Sequence, residues 1–377
     1  MDLVSQPNLD VSQQYSPLTF QGRLIGLDAI RYICAAWVVL NHMGTPFRSL
    51  QSHGLIWKLA SSIFQAAISG PAAVIVFFVI SGLCIHFNYR NGKAIDYFSY
   101  YMRRYIRIGI PLCIVLILTF VSAHKGFHSL TIASLNDSVL WSLIAELIYY
   151  TIYPVLMFAK RRFGWRPLIL AAFAASYLVV LSHPRLAIEG YYPLYGWKLN
   201  WILGLPCWLL GCLLAERIQL SKSIDLSATQ PKASIWTWRI AVWATSCVTI
   251  LLQFHQHGRH IHLGYSLTLN LFAIVVFFWL RNEILYFQSH QPLLWLEKAG
   301  AGSYSLYLIH PLLLGVLGNY QVFLGDGILR WIVTFCEIVI MSTLFYFLVE
   351  KPSHALARLF RPRKQSALPP TFASIQQ

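Results

Sequence analysis

The chain has 377 residues, of which 57% are hydrophobic and 11% charged, with 29 basic against 14 acidic side chains and a formal net charge of +15. A soluble globular domain carries about 25% charged residues, so this composition excludes one and indicates a polytopic membrane protein. The basic excess fits the positive-inside bias of a multi-span chain rather than nucleic-acid binding.

Residues 1–23 are polar and lack the basic-then-apolar layout of a cleavable signal, so the first apolar helix is expected to stay as an anchor. Apolar stretches then alternate with short polar connectors. They predict about ten spans of roughly 15 to 22 residues in an all-α bundle. The centres fall near Trp37, Val79, Val115, Tyr150, Phe173, Pro206, Cys247, Phe272, Leu312 and Val339. The seventh is expected to be short. One set of alternate connectors holds 21 of the basic residues and the other 7, with Arg31 inside the first span. That bias predicts an even number of spans and both termini in the cytoplasm. The domain reading is a polar tail over 1–23, one transmembrane domain over 24–360, and a disordered tail over 361–377. The longest connector, about Glu216 to Arg239, reads as an ordered loop or surface helix.

The first span, LDAIRYICAAWVVLNHM, carries Asp28, Arg31 and His42. Arg31 and His42 are eleven positions apart, close to three helical turns. They share one face within about 20° and lie about 16 Å apart along the axis. Ionisable groups inside a membrane helix usually face a polar interior, although a snorkelling Arg and a satisfied core His fit equally. Asp28, one turn from Arg31, is its natural ion-pair partner and is too far from His42 to serve it. In the second span, Phe77-Phe-Val-Ile-Ser81-Gly82 reads as close helix packing, with Ser81 able to line a cavity.

Tyr100-Tyr-Met-Arg-Arg-Tyr-Ile-Arg107 opens the third span. Arg104 and Arg107 share a face, and paired guanidinium forks suit phosphate oxygens. The same cluster also serves as a topogenic signal touching lipid headgroups. In the fourth span, Trp141-Ser142-Leu-Ile-Ala-Glu146 sets a carboxylate about one turn in from the outer end. Such a group is paired or functional, and it can orient or charge-balance His42. In the ninth, Ser303-Tyr-Ser-Leu-Tyr-Leu-Ile-His310-Pro311 places His310 beside a backbone carbonyl freed by the proline, which favours a structural role. Outer connectors hold His53, His124, His128, His183, His257, His260 and His262 and the aromatics Tyr191, Tyr192, Tyr195 and Trp197; the aromatics suit either sugar rings or an interfacial belt. The seven cysteines sit mostly in apolar runs without zinc-ligand spacing, so neither a disulfide framework nor a metal site is expected.

Taken together these segments resemble the acyltransferase-three family, integral-membrane acyltransferases that modify bacterial surface glycans and related molecules. The matching pieces occur in the family's order: Leu27-Asp28-x-x-Arg31 with His42, Phe77-Phe-x-x-Ser81-Gly82, and Arg104-x-x-Arg107. Trp141-Ser-Leu-x-x-Glu146, Ser303-Tyr-Ser-Leu-Tyr-x-x-His310-Pro311 and Val349-Glu-Lys-Pro352 follow. Ala29 stands where the family often has Gly, and Leu147 where it often has a second acid, so Glu146 acts alone if it acts. The chain shows no hydrolase-like domain after the last span, which is expected to make it a single-domain form.

The resemblance implies transfer of an acyl group, usually acetyl, from acyl-CoA as co-substrate to a hydroxyl, with no permanently bound cofactor. The acceptor would be a glycan such as exopolysaccharide or O-antigen, or a lipid-linked saccharide, at the bacterial inner membrane. Within it, His42, Arg31 and Glu146 are expected to be catalytic, with His42 as general base or acyl carrier. Arg104 and Arg107 would bind the co-substrate's phosphates, with Asp28, Ser81, Trp141, Ser142 and His310 in support. A proton-coupled transporter or flippase also needs intramembrane Arg, His and Glu, although the sequence lacks paired broken-helix repeats. A structural partner in a glycan-assembly complex is a third, weaker option.

Overall fold

A computed structural model of the chain describes residues 19–20, 23–90, 92–123, 140–189, 191–218, 232–254, 264–320 and 327–361. The expected N-terminal tail and the tail after Arg361 fall almost wholly outside these residues, as do 219–231 of the longest connector. Apart from a two-residue ladder, Thr19–Phe20 against Arg23–Leu24, every regular element is helical.

The order is α1 (Leu27–Met43), α2 (Leu55–Ala67), α3 (Gly70–Phe87), α4 (Tyr97–Ala123), α5 (Trp141–Phe163), α6 (Trp165–Ser182) and α7 (Pro184–Glu189). It continues with α8 (Asn200–Arg217), α9 (Lys232–Phe254), α10 (Tyr265–Ser289), α11 (Leu294–Gly300), α12 (Ser303–Tyr320) and α13 (Ile328–Phe345). A π-helical turn, Tyr346–Glu350, then leads into α14 (Lys351–Leu359).

A helix covers each of the ten expected centres. Among the described residues, seven helices are long and apolar enough to cross a membrane, or eight if the bent pair α11–α12 makes one span. Helices α1 and α8 fall short for a physical reason. α1 has only 17 residues and carries Asp28 and Arg31, and α8 carries Asn200, Glu216 and Arg217. Interior helices can hold such groups because neighbouring protein, not lipid, surrounds them. The helix over Cys247 is not short: α9 runs 23 residues, because Arg239 pairs with Glu283 of α10 at 2.5 Å and so enters the helix with its charge met. The N-terminal part of α9 therefore takes up the end of the expected connector.

Helix α3 is apolar on every side, which marks a helix surrounded by protein. Most of its residues are buried, from Gly70 to His86. It packs on α8 with the backbones almost touching. A Cβ on Gly82 would stand 2.0 Å from the Trp208 carbonyl oxygen, and one on Gly211 2.0 Å from that of Val79. Small residues permit this approach, and dispersion across it replaces the missing hydrophobic drive in lipid. A buried polar knot ties the same helices to α5. His86, with no exposed surface, bonds Tyr153 Oη at 2.9 Å and Glu216 at 2.8 Å, and Lys160 donates to Glu216 at 2.7 Å.

The start of α1 is held by α11. Glu297 accepts from the backbone N–H groups of Gly26 (3.1 Å) and Ala29 (3.0 Å), two donors that the helix itself leaves open. Gly300 lies so close that a Cβ there would meet the Asp28 carbonyl oxygen at 2.1 Å. After a 65° bend, α12 runs back along α1, so these two helices meet along their length.

Gly82→Val and Gly211→Val are expected to force α3 and α8 apart and to destabilise the fold by about 1–3 kcal/mol or more. Gly315→Ala, where the added methyl meets nothing within 4 Å, should be neutral or slightly stabilising. Thermal unfolding of the purified protein in detergent checks both; equal melting of all three variants would contradict this packing.

Candidate active site

His42 stands on the last turn of α1, where that helix meets the start of α3. A Cβ on Gly70 would lie 2.5 Å from Asn41 Oδ1. Here a cavity is lined by Val38, His42, Pro71, Trp141, Tyr191 and Tyr307, among others. His42 is exposed to it. His310 of α12 is fully buried behind, with its Nε2 3.1 Å from His42 Nδ1 and the rings tilted by 31°.

The proline expected to free a carbonyl does so. Pro311 has no N–H for the Tyr307 carbonyl four residues back, and His310 Nδ1 lies 2.7 Å from that oxygen. A carbonyl only accepts, so Nδ1 of His310 carries the proton. In the neutral ring Nε2 is then an acceptor, and the proton between the two rings belongs to His42 Nδ1. That assignment, made from the hydrogen-bond network, leaves His42 Nε2 as an unprotonated nitrogen. Tyr307 is itself fixed, its hydroxyl 2.6 Å from Ser142 Oγ. Trp141 meets Tyr191 and Tyr192 edge to face and forms one wall.

Deeper in the bundle lies a second group. Arg31 pairs with Asp28 at 3.4 Å, as one helical turn allows, and keeps 24% of its side-chain surface accessible. Its charge is felt with those of Asp28 and Glu146 and beside Cys84 and Tyr150, so it faces α3 and α5 rather than lipid. Glu146 Oε1 accepts from Ser81 Oγ at 2.5 Å and from the Tyr150 hydroxyl, and Trp208 Nε1 donates to Ser81 at 3.2 Å.

This corrects one expectation. Among the described residues Glu146 makes no hydrogen bond to His42, whose ring partner is His310. The reason is depth. Gly70 marks the level of His42, and Ser81 follows eleven residues later, about 16 Å down α3. Glu146 belongs with Ser81, and the charge it meets is that of Arg31.

Arg104 and Arg107 share a face of α4 as the spacing predicts. Arg104 lies 5.0 Å over the Tyr100 ring, and its Nε is buried without a hydrogen-bond partner. Arg107 Nε–H donates to His354 Nε2 at 2.9 Å, and its charge is in range of Arg31, Arg104 and Glu350. Glu350, buried in the π-helical turn, is held by the backbone and hydroxyl of Ser305, with His354 3.5 Å away. Arg103 turns away to the Ser99 carbonyl and Tyr89.

Sequence reasoning missed Tyr150, Tyr307, Trp208, Glu350 and His354 as members of this constellation. Signals were present for three: Tyr150 is one turn from Glu146, Tyr307 is four residues before a helical proline, and Glu350 falls in the Val349-Glu-Lys-Pro352 piece of the resemblance. The placement of Trp208 and His354 depends on long-range packing and has no local signal. Tyr192 and Tyr195 are buried rather than set at an interface. His124, His128, His257, His260 and His262 lie outside the described residues.

No curated protein and no solved structure matches the chain significantly. A family model described as an acyltransferase domain matches residues 24–349, close to the stretch from Leu27 to Pro352 that carries the motifs. The match takes in α1 with His42, the α4 arginines, Glu146 and the α12 histidine, and it shows that the chain belongs to this family of membrane acyltransferases.

Proposed function

We propose that the protein moves an acyl group, with acetyl the expected one, from acyl-CoA to a hydroxyl of a glycan or lipid-linked saccharide at a bacterial inner membrane. The observation that carries this reading is the free Nε2 of His42 at an aromatic-walled cavity, its tautomer set by His310 and the Tyr307 carbonyl. A hydroxyl is a poor nucleophile at neutral pH, and a positioned imidazole removes its proton as attack proceeds. In the proposed step the acceptor oxygen attacks the thioester carbon while its proton passes to His42 Nε2. The C–S bond then breaks, and the departing thiolate takes that proton back from the imidazolium. The cavity beside Trp141 and Tyr191 is about 10 Å3, room for the attacking hydroxyl rather than for a whole sugar ring.

The co-substrate is polyanionic. Arg104 offers a buried N–H with no protein partner, and Arg107 stands one turn on, a pair of forks suited to phosphate oxygens. The charge bias of the connectors assigns this end of α4 to the cytoplasm, where acyl-CoA is found. Arg31, between the two levels, would stabilise charge along the route, with Glu146 holding Ser81 and Tyr150 in place around it.

His42→Gln is expected to lower transfer of label from radiolabelled acetyl-CoA to a glycan acceptor at least a hundredfold without changing protein abundance; wild-type turnover would refute the role. Arg104→Ala should raise KM for acetyl-CoA about tenfold or more and leave the acceptor's KM unchanged, and an unaltered donor KM would count against phosphate binding there.

Pro311→Ala separates tautomer control from mere contact. It restores an N–H that competes with His310 for the Tyr307 carbonyl. Thermal stability should hold or rise, while kcat falls by about an order of magnitude or more. An undiminished kcat would show that the carbonyl does not set the base.

A further inference from the structure

A second cavity, of about 240 Å3, lies where α1, α11, α12 and α13 meet. Its walls are largely apolar: Tyr32 of α1, Leu306 of α12, Val339 of α13, and Tyr346 and Phe347 of the π-helical turn. At about 30 Å3 for each group of water size, it holds roughly eight such groups, enough for a segment of one hydrocarbon chain. Water gains few polar partners on such a surface, so an apolar occupant is favoured.

Polar groups break the apolar lining: Thr343, whose hydroxyl is already given to the Val339 carbonyl at 2.7 Å, and two that matter more, Lys298 and Ser342. Lys298 borders the cavity, is exposed, and has no acidic partner among the described residues. Ser342 also lines it; only 2% of that residue is exposed, and its hydroxyl has no hydrogen-bond partner. A buried hydroxyl left unmet is costly and calls for an acceptor. The surrounding face consists of exposed apolar side chains, including Ile340, Leu344, Phe347 and Leu348, the face that a spanning helix turns to lipid. Phe347 both lines the cavity and is 53% exposed, so the cavity reaches that face.

We infer that this cavity binds one anionic, chain-bearing membrane lipid, with its phosphate on the Lys298 ammonium, an ester oxygen meeting Ser342, and part of one chain among Tyr32, Leu306, Val339 and Tyr346. The inference does not depend on the transfer reaction. Its α1 wall, Tyr32, stands about 100° round the helix from Arg31, and the cavity lining does not include Arg31, Glu146, Arg104 or Arg107.

Native mass spectrometry of the purified full chain tests it, using phosphatidylglycerol and phosphatidylcholine with identical chains. The wild type is expected to keep one phosphatidylglycerol through delipidation and to lose phosphatidylcholine. Lys298→Gln, a surface change, should weaken phosphatidylglycerol retention about fivefold. Val339→Phe, which fills the cavity, should lower retention of both lipids at an unchanged melting temperature. If Val339→Phe impairs folding, Lys298→Gln alone decides. Excess inorganic phosphate should displace nothing, because the chain supplies much of the affinity. Equal retention of the two lipids by the wild type, wild-type retention by Lys298→Gln, or displacement by phosphate alone would each overturn the inference.

Discussion

One missing backbone donor organises the His42 end of this molecule. Pro311 leaves the Tyr307 carbonyl without its helical partner, on a residue that is buried. His310 takes the position, and in doing so fixes its own protonated nitrogen and, through 3.1 Å, that of His42. In lipid an unmet carbonyl costs several kcal/mol, so this arrangement is strongly determined. A helix imperfection thereby becomes control over which face of a distant imidazole is basic.

The rest of the bundle makes that control useful. Glycines on α3 and α8 bring two backbones together and leave their polar side chains in one plane of depth, where Trp208, Ser81, Tyr150 and Glu146 form a closed network. Arg31 lies beside this network, and its charge is in range of Arg107, which is tied to the Glu350–His354 turn. Each charged member has an opposite charge or a polar side chain within reach, which is the condition for keeping ionisable groups within a membrane. Arg104 is the notable departure, with a buried N–H that protein does not satisfy.

Much of this was legible in the chain itself. Hydropathy located the helices over the ten expected centres, because lipid demands long apolar runs, and passed over the 13-residue α2. Helical periodicity put Arg31 and His42 on one face and paired Asp28 with Arg31. It also put Arg104 and Arg107 together. The proline rule found the contact of His310 with a freed carbonyl. What periodicity within one helix cannot supply is depth between helices. Glu146 and His42 each sit near the outer end of a helix by sequence, yet the Gly82–Trp208 contact and the Asn41–Gly70 contact set their levels apart. The length of α9 was hidden for a similar reason, since Arg239 reads as a connector charge until Glu283 is seen to meet it. The meeting of His42 with His310, 268 residues apart, has no local signature.

The proposed function requires that acyl-CoA held by the α4 arginines reach His42. The most direct test is a cryo-electron-microscopy structure of the purified protein with a non-hydrolysable acetyl-CoA analogue. The account predicts phosphate density against Arg104 and Arg107, with the acyl end directed along Arg31 toward His42 Nε2. Density for the analogue at any other surface, or an acyl end separated from His42 by closed packing, would contradict it.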